Sequence, residues 1–280
     1  MQPHNQSVCA TIAALALFLA AGGSARADFV STVLGTTPLD FWTLQGNSLA
    51  SVGASTDTST YQNSATTVAA GAGAPQANAM SLDGNNATPQ YAATDLSGGI
   101  PGSGSIMAWV NLAALPGTAS AIFYVAGESQ SGNDFDLQFQ NDNNLYFYTG
   151  AGENTSYAPT RSSLVGTWHM IVATYTGGVS GTRDIYWDGS LAASFSGSVN
   201  SASKIDAFNI GYSTVFTGRD FNGLIADVGV WNAAISATQV TQIYDAAGSP
   251  SNPIPAPAPL GVLSVGVAAL LGLRRSRRRT

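Results

Sequence analysis

A two-residue period limits what this chain can become. Asp134 to Gln140 reads DFDLQFQ, with Phe135, Leu137 and Phe139 pointing one way and Asp134, Asp136, Gln138 and Gln140 the other. One apolar and one polar face at period two is the pattern of a half-buried antiparallel strand. Ser105 to Leu112 repeats it, with Ile106, Ala108, Val110 and Leu112 on a shared face. Leu145 to Tyr148 follows Asn141-Asp142-Asn143-Asn144, a polar run that predicts a hairpin turn. Trp168 to Tyr175 is apolar on both faces, as a central strand requires. Ile185-Tyr186-Trp187 runs into Asp188-Gly189, a strong hairpin signal. Phe208 to Tyr212 and Leu224 to Trp231 complete the expected strands.

One helix is expected, at the close of this region. Ser236-Ala237-Thr238-Gln239 forms a capping box, with Ser236 at the N-cap and Gln239 three residues on. Val240, Ile243 and Tyr244 make a short apolar stripe, and Gly248 and Pro250 end it.

The two ends differ from this body. Thr11 to Ala21 is rich in Ala, Leu, Ile and Phe, and Ala25-Arg26-Ala27 follows. Small residues at Ala25 and Ala27 suit a signal peptidase, so residues 1–27 read as a signal peptide and Asp28 as the first mature residue. Cys9, the only cysteine, lies inside that segment. A mature chain would then lack disulfides, thiol chemistry and cysteine-held metal. At the other end, residues 251–259 are a proline-rich linker, and residues 260–280 form an apolar anchor with an arginine tail. Leu260 to Leu273 carries no charge, and Arg274, Arg275, Arg277, Arg278 and Arg279 follow. Arginines after an apolar segment are a stop-transfer pattern that keeps them cytoplasmic.

Charge separates body from tail. All sixteen acidic residues lie between Asp28 and Asp245, where Arg161, Arg183, Lys204 and Arg219 are the basic ones, a net charge of −12. Such a surface will not bind nucleic acid through phosphate contacts. It suits an extracellular setting and affinity for divalent cations, or solubility alone.

Two resemblances follow from these motifs. Pro255-Ala256-Pro257, the apolar segment and the final arginines resemble a PEP-CTERM sorting tail, with Ala in place of the usual central Glu. That likeness implies an exported protein of a Gram-negative bacterium, transient anchoring in the inner membrane and processing by an exosortase-type enzyme. Within 28–250, Ser105–Val110, Gly166-Thr167-Trp168, Ile185–Gly189 and above all Phe221 to Tyr244 (FNGLIADVGVWNAAISATQVTQIY) resemble the LamG-like, concanavalin A-like family. This implies an all-β, two-sheet antiparallel jelly-roll sandwich with one short C-terminal helix, besides the apolar terminal helices.

Catalysis is not expected. Glycosidases of this fold place an acid and a nucleophile about 5 Å apart for retention. The chain has two glutamates, Glu128 and Glu153, on different segments, and only Asp134 and Asp136 share a face. His169 is the single histidine outside the signal, too few for a His-based metal site. The expected role is binding of extracellular polysaccharide, with a structural or adhesive surface protein contacting other proteins as the alternative and a glycoside hydrolase third. Tyr146, Tyr148, Tyr157, Tyr212 and Phe216 are the aromatic candidates for sugar contact, equally able to be buried in a sandwich. No cofactor is required; calcium is the one that Asp83, Asp188, Asn222 and Asp227 suggest, although Asp83 and Asp188 each precede a glycine and are explained by turns.

Overall fold

The computed structural model describes residues 29–46, 49–50, 58–94, 96, 102–119, 121–128, 134–201 and 208–248. The expected signal peptide with Ala25 and Ala27, the proline-rich linker, the sorting tail and both terminal apolar helices lie outside these residues. Among the described residues no helix is long and apolar enough to cross a membrane.

Two antiparallel sheets face one another. The first runs β14 (Ser190–Val199), β13 (Gly178–Trp187), β12 (His169–Thr176), β7 (Ser103–Leu112), β16 (Asn222–Trp231), β5 (Asn78–Asp83), β4 (Thr66–Ala69), with β1 (Asp40–Trp42) also paired to β16. The second runs β11 (Glu153–Tyr157), β10 (Leu145–Gly150), β9 (Asp134–Phe139), β8 (Phe123–Glu128), β15 (Phe208–Ile210), β6 (Tyr91–Thr94), β3 (Thr58–Gln62), β2 (Leu49–Ala50). This is the expected jelly-roll-like sandwich. Its shared core takes Ile106, Ala108, Val110 and Leu112 from β7, Phe135, Leu137 and Phe139 from β9, and Leu145 and Phe147 from β10. These are the faces the alternation marks as apolar.

The Asp-Gly hairpin forms as its chemistry dictates. Asp188 and Gly189 both take positive φ, 50° and 79°, the mirror-image turn that matches strand twist. The capping box is complete: Ser236 accepts from the Gln239 backbone N–H while the Gln239 side chain accepts from the Ser236 N–H.

Helix content exceeds the one helix expected. Residues 29–35 form α1, followed by single turns α2 (Pro116–Ala119) and α3 (Arg161–Leu164), before α4 (Ala237–Ala246). Helices α1 and α4 matter most. They cover the outer face of the first sheet and create a second core, in which Phe29 and Val33 meet Phe41, Met107, Trp109 and Met170, and Val240, Ile243 and Tyr244 pack beside Trp231. Trp109 stacks on Tyr244 at 5.9 Å and meets Phe29 edge-on at 6.4 Å. The first sheet is thereby apolar on both sides, which explains why Trp168 to Tyr175 lacks a polar face. The outer face of the second sheet carries no such cover from α1 or α4.

Candidate functional site on the outer face of the second sheet

Strand alternation sets the residues of this face. With Leu145 and Phe147 in the core, Tyr146 and Tyr148 point outward. With Phe135, Leu137 and Phe139 inside, Asp134, Asp136 and Gln138 point outward too. Register then places Tyr146 opposite Gln138 and Tyr148 opposite Asp136 on one side, and opposite Ser156 and Asn154 on the other. Cross-strand pairs on one face bring side chains into contact.

The tyrosines form a half-exposed pair, rings 5.9 Å apart and 20° from parallel. Their hydroxyls are held. Tyr146 donates to Asp142 Oδ2 at 2.8 Å, and Tyr148 accepts from Gln140 Nε2 at 2.7 Å. Burial, then the nearby Asp136 carboxylate, pushes the Tyr148 phenol above its ordinary pKa. The rings are therefore neutral, fixed and aromatic at neutral pH. Asp136 beneath them is buried.

The segment between β15 and β16 supplies the far side of the platform. Arg219 Nη1 donates to Gln138 Oε1 at 3.1 Å, and its guanidinium lies 4.3 Å from the centre of the Phe216 ring. The loop holds its own shape: Ser213 Oγ accepts from the Phe216 N–H, and Asn209 Nδ2 donates to Thr214 Oγ1. Gly127 keeps the sheet open here. At φ 138°, it sits opposite Asp136 and Asn209, and a Cβ there would lie 2.3 Å from the Phe135 carbonyl oxygen and 2.5 Å from Asp136 Cα.

The structure sorts the aromatic candidates. Tyr146 and Tyr148 belong to the platform and Phe216 lies beside it, 36 % exposed. Tyr212 is buried instead, tilted against Tyr91 at 5.4 Å, because the chain turns inward to pair with Asp220. Tyr157 packs on Trp187 against the core.

The four metal candidates do not converge. Asp188 is committed to the fold, its Oδ2 to His169 Nδ1 at 2.8 Å and its Oδ1 to the Met170 N–H at 3.0 Å. His169 spends its other nitrogen on the Ser163 carbonyl. Asp227 is fully buried in the β16 bulge and accepts from Gln76 Nε2, and its carboxyl is pushed well above the ordinary range by that burial. Asp83 and Asn222 do meet, as register partners across β5 and β16. No group of three or more His, Cys, Asp or Glu fit for a metal occurs among the described residues. Gln138, Arg219, Gly127 and Asp220 were not singled out in the sequence. Gln138 was accessible from the alternation; Arg219 and Asp220 depend on loop geometry, and Gly127 on the pairing of β8 with β9 and β15.

Two facing antiparallel sheets, the second carrying an outward tyrosine pair, make a concanavalin A-like β-sandwich. The chain belongs to the concanavalin A-like lectin/glucanases superfamily, whose laminin G family model matches residues 83–241, more than half its length. Solved structures agree on the fold. The receptor binding domain of botulinum neurotoxin C/D mosaic serotype superposes with a TM-score of 0.59 at 12% identity, over 75% of this chain and 51% of that one. The binding domain of botulinum neurotoxin DC in complex with SialylT superposes at 0.58 and 10% identity, over 75% and 52%. Domain 4 of AbnA, an extracellular GH43 arabinanase from Geobacillus stearothermophilus in complex with arabinotriose, superposes at 0.55 and 16% identity, over 74% and 98%. The chain thus spans about half the length of the neurotoxin fragments and nearly all of the arabinanase domain. A search of curated protein sequences returns no match.

Proposed function

We propose that this chain is an exported, non-catalytic carbohydrate-binding surface protein, and that its glycan lies on the Tyr146–Tyr148 platform. The observation that carries this reading is the outward aromatic pair itself, held by Asp142 and Gln140 and bordered by Gln138 and Arg219. A sugar ring offers an apolar face for stacking and a rim of hydroxyls for such donors and acceptors. Two structural neighbours were solved with oligosaccharide-type ligands, which supports the ligand class. The non-catalytic reading is supported by two carboxylates: Glu153 is spent on Arg183 and Asn200, and Asp136, the cross-strand partner of Tyr148, is buried. The alanine-rich start and the arginine-ended tail support export and sorting.

Binding is tested with the purified protein by affinity electrophoresis through the producing cells' extracellular polysaccharide, and by calorimetry with arabino-oligosaccharides. Tyr148→Ala is expected to weaken retention at least tenfold, which corresponds to about 1.4 kcal/mol. Retention unchanged in a Tyr146→Ala/Tyr148→Ala variant would sink the platform. Mass spectrometry of the secreted protein tests sorting, which predicts loss of the arginine tail.

One observation favours the alternative adhesive role. Strand β14 is an edge of the first sheet, ten residues without a charge, and exposes Leu191 and Phe195. Uncharged edges of this length pair readily with other strands.

A further inference from the structure

We propose that the platform selects an acidic glycan, one whose uronic acid carboxylates meet Arg219 and Arg161 on either side of the tyrosine pair. This rests on the glycan reading and adds the chemical class of the polymer.

In a body of −12, carboxylates far outnumber cations. Each cation is then expected to hold a carboxylate. Arg183 does so, buried against Glu153. Arg161 and Arg219 make no ion pair among the described residues.

Both stand at the platform. Strand β10, which carries Tyr146 and Tyr148, lies between β11 and β9. The turn α3 follows β11 and brings the exposed Arg161 to the hairpin between β9 and β10, where its Nη2 donates to the Asp142 carbonyl at 3.3 Å. The loop after β15 brings the half-buried Arg219 from the other side to Gln138, the cross-strand partner of Tyr146. Arg219 is near enough to Tyr148 for its charge to oppose the upward push that burial and Asp136 exert on that phenol. Two cations therefore flank one aromatic pair.

Each guanidinium has donors to spare. Of five N–H groups, Arg219 commits one to Gln138 and Arg161 one to the Asp142 carbonyl among the described residues. The Phe216 ring, 4.3 Å from the Arg219 guanidinium, holds it without consuming a donor. Two carboxylates of the platform are turned elsewhere. Asp142 accepts from the Tyr146 hydroxyl and from the backbone and side-chain nitrogens of Asn144, and Asp136 is buried. A guanidinium fork matches a planar carboxylate through two parallel hydrogen bonds. A uronic acid stacked on the tyrosines carries its carboxylate at the rim of the sugar ring, the side on which the arginines stand. The net charge of the body does not forbid this, because repulsion from distant carboxylates is screened beyond roughly 8 Å at physiological ionic strength.

The probe is the producing cells' extracellular polysaccharide, used native and after carbodiimide–borohydride reduction, which converts uronic carboxylates to primary alcohols and leaves sulfate esters in place. Affinity electrophoresis of the full chain through each polymer reads retention. The reduced polymer should retain the protein at least about tenfold more weakly than the native one, while removal of sulfate esters by solvolysis should change nothing. Arg219→Gln should weaken retention by the native polymer about tenfold. Arg219→Lys should recover only part of that loss, since it keeps the charge but not the fork. Arg161→Gln, at an exposed position, should weaken it as well. The Tyr146→Ala/Tyr148→Ala variant should lose both polymers, whereas Arg219→Gln should narrow the difference between them. Equal retention by native and reduced polymer, loss on desulfation instead, or native retention unchanged in an Arg161→Gln/Arg219→Gln variant overturns the carboxylate assignment and leaves the platform standing. No retention by either polymer removes the platform reading and this one with it.

Discussion

Removing either half of the Arg183–Glu153 pair should cost different amounts, in an order set by burial. The guanidinium of Arg183 links the two sheets. From β13 it donates to Glu153 Oε2 at 2.7 Å, Thr149 Oγ1 at 3.3 Å, Thr155 Oγ1 at 3.4 Å and the Asn154 carbonyl at 3.3 Å, and it lies 4.5 Å from the centre of the Phe195 ring. Its side chain is 4 % exposed, whereas that of Glu153 is 30 % exposed. Glu153→Gln leaves a buried cation facing neutral oxygens, the case that costs roughly 3–5 kcal/mol. We expect about 3 kcal/mol, the low end, because the three contacts to Thr149, Thr155 and the Asn154 carbonyl persist. Arg183→Met leaves a carboxylate that reaches water and keeps both bonds from Asn200, at 3.0 and 2.7 Å. Its loss is about 1–2 kcal/mol, that of a charge-assisted hydrogen bond less the gain of apolar filling. The double variant should be more stable than Glu153→Gln alone. Urea unfolding at pH 7, followed by tryptophan fluorescence, measures all three with one m-value. Arg183→Met costing as much as Glu153→Gln would refute the burial argument.

Asp220 gives a distinct pH signature. Burial first, then the charge of Asp83, push its carboxyl from 3.8 up to about 6, so the folded state binds the extra proton between those values. Its contribution to stability is complete below the unfolded value and is lost as pH rises through about 6. Asp220→Asn should flatten that part of a Tm–pH profile. Glu153 acts with the opposite sign: the Asn200 backbone N–H, with the Arg183 side chain, holds its carboxyl below the ordinary range despite partial desolvation. Its stabilisation is present above the unfolded value and disappears as pH falls through the folded one, an acid limb that Glu153→Gln should remove. Gly127→Ala should cost at least about 2 kcal/mol, because positive-φ strain adds to a clash with the β9 backbone; a loss below about 1 kcal/mol in chemical denaturation would contradict it. Ser236→Ala should lower stability by about 1 kcal/mol through loss of the N-cap acceptor, measured the same way.

Much of the platform was legible in the sequence, because alternation is local. In an LYFY strand only two faces exist, and once Leu145 and Phe147 are core, Tyr146 and Tyr148 must face out. Helix α1 was not legible. Residues 29–35 include Val30, Thr32 and Val33, which disfavour a short isolated helix. The helix stands because Phe29 and Val33 bury against Phe41 and Trp109. Tyr212 and Phe216 looked equivalent in one loop, but only the fold distinguishes them: Tyr212 meets Tyr91, and Phe216 receives Arg219.

The sequence by itself therefore determined seven of the strands (β7, β9, β10, β12, β13, β15 and β16), the inner and outer faces of those that alternate, the Asp188-Gly189 turn and the cap at Ser236. Each depends on neighbours within a few positions, where steric and hydrogen-bond preferences act without long-range help. Tertiary structure alone decided which sheet face stays open and that Asp220 is buried near the charge of Asp83. Those outcomes turn on contacts between distant parts of the chain, α1 and α4 over the first sheet and Arg219 drawn to Gln138, 81 positions away. No local preference encodes them, because they arise from what remains unburied once both cores have packed.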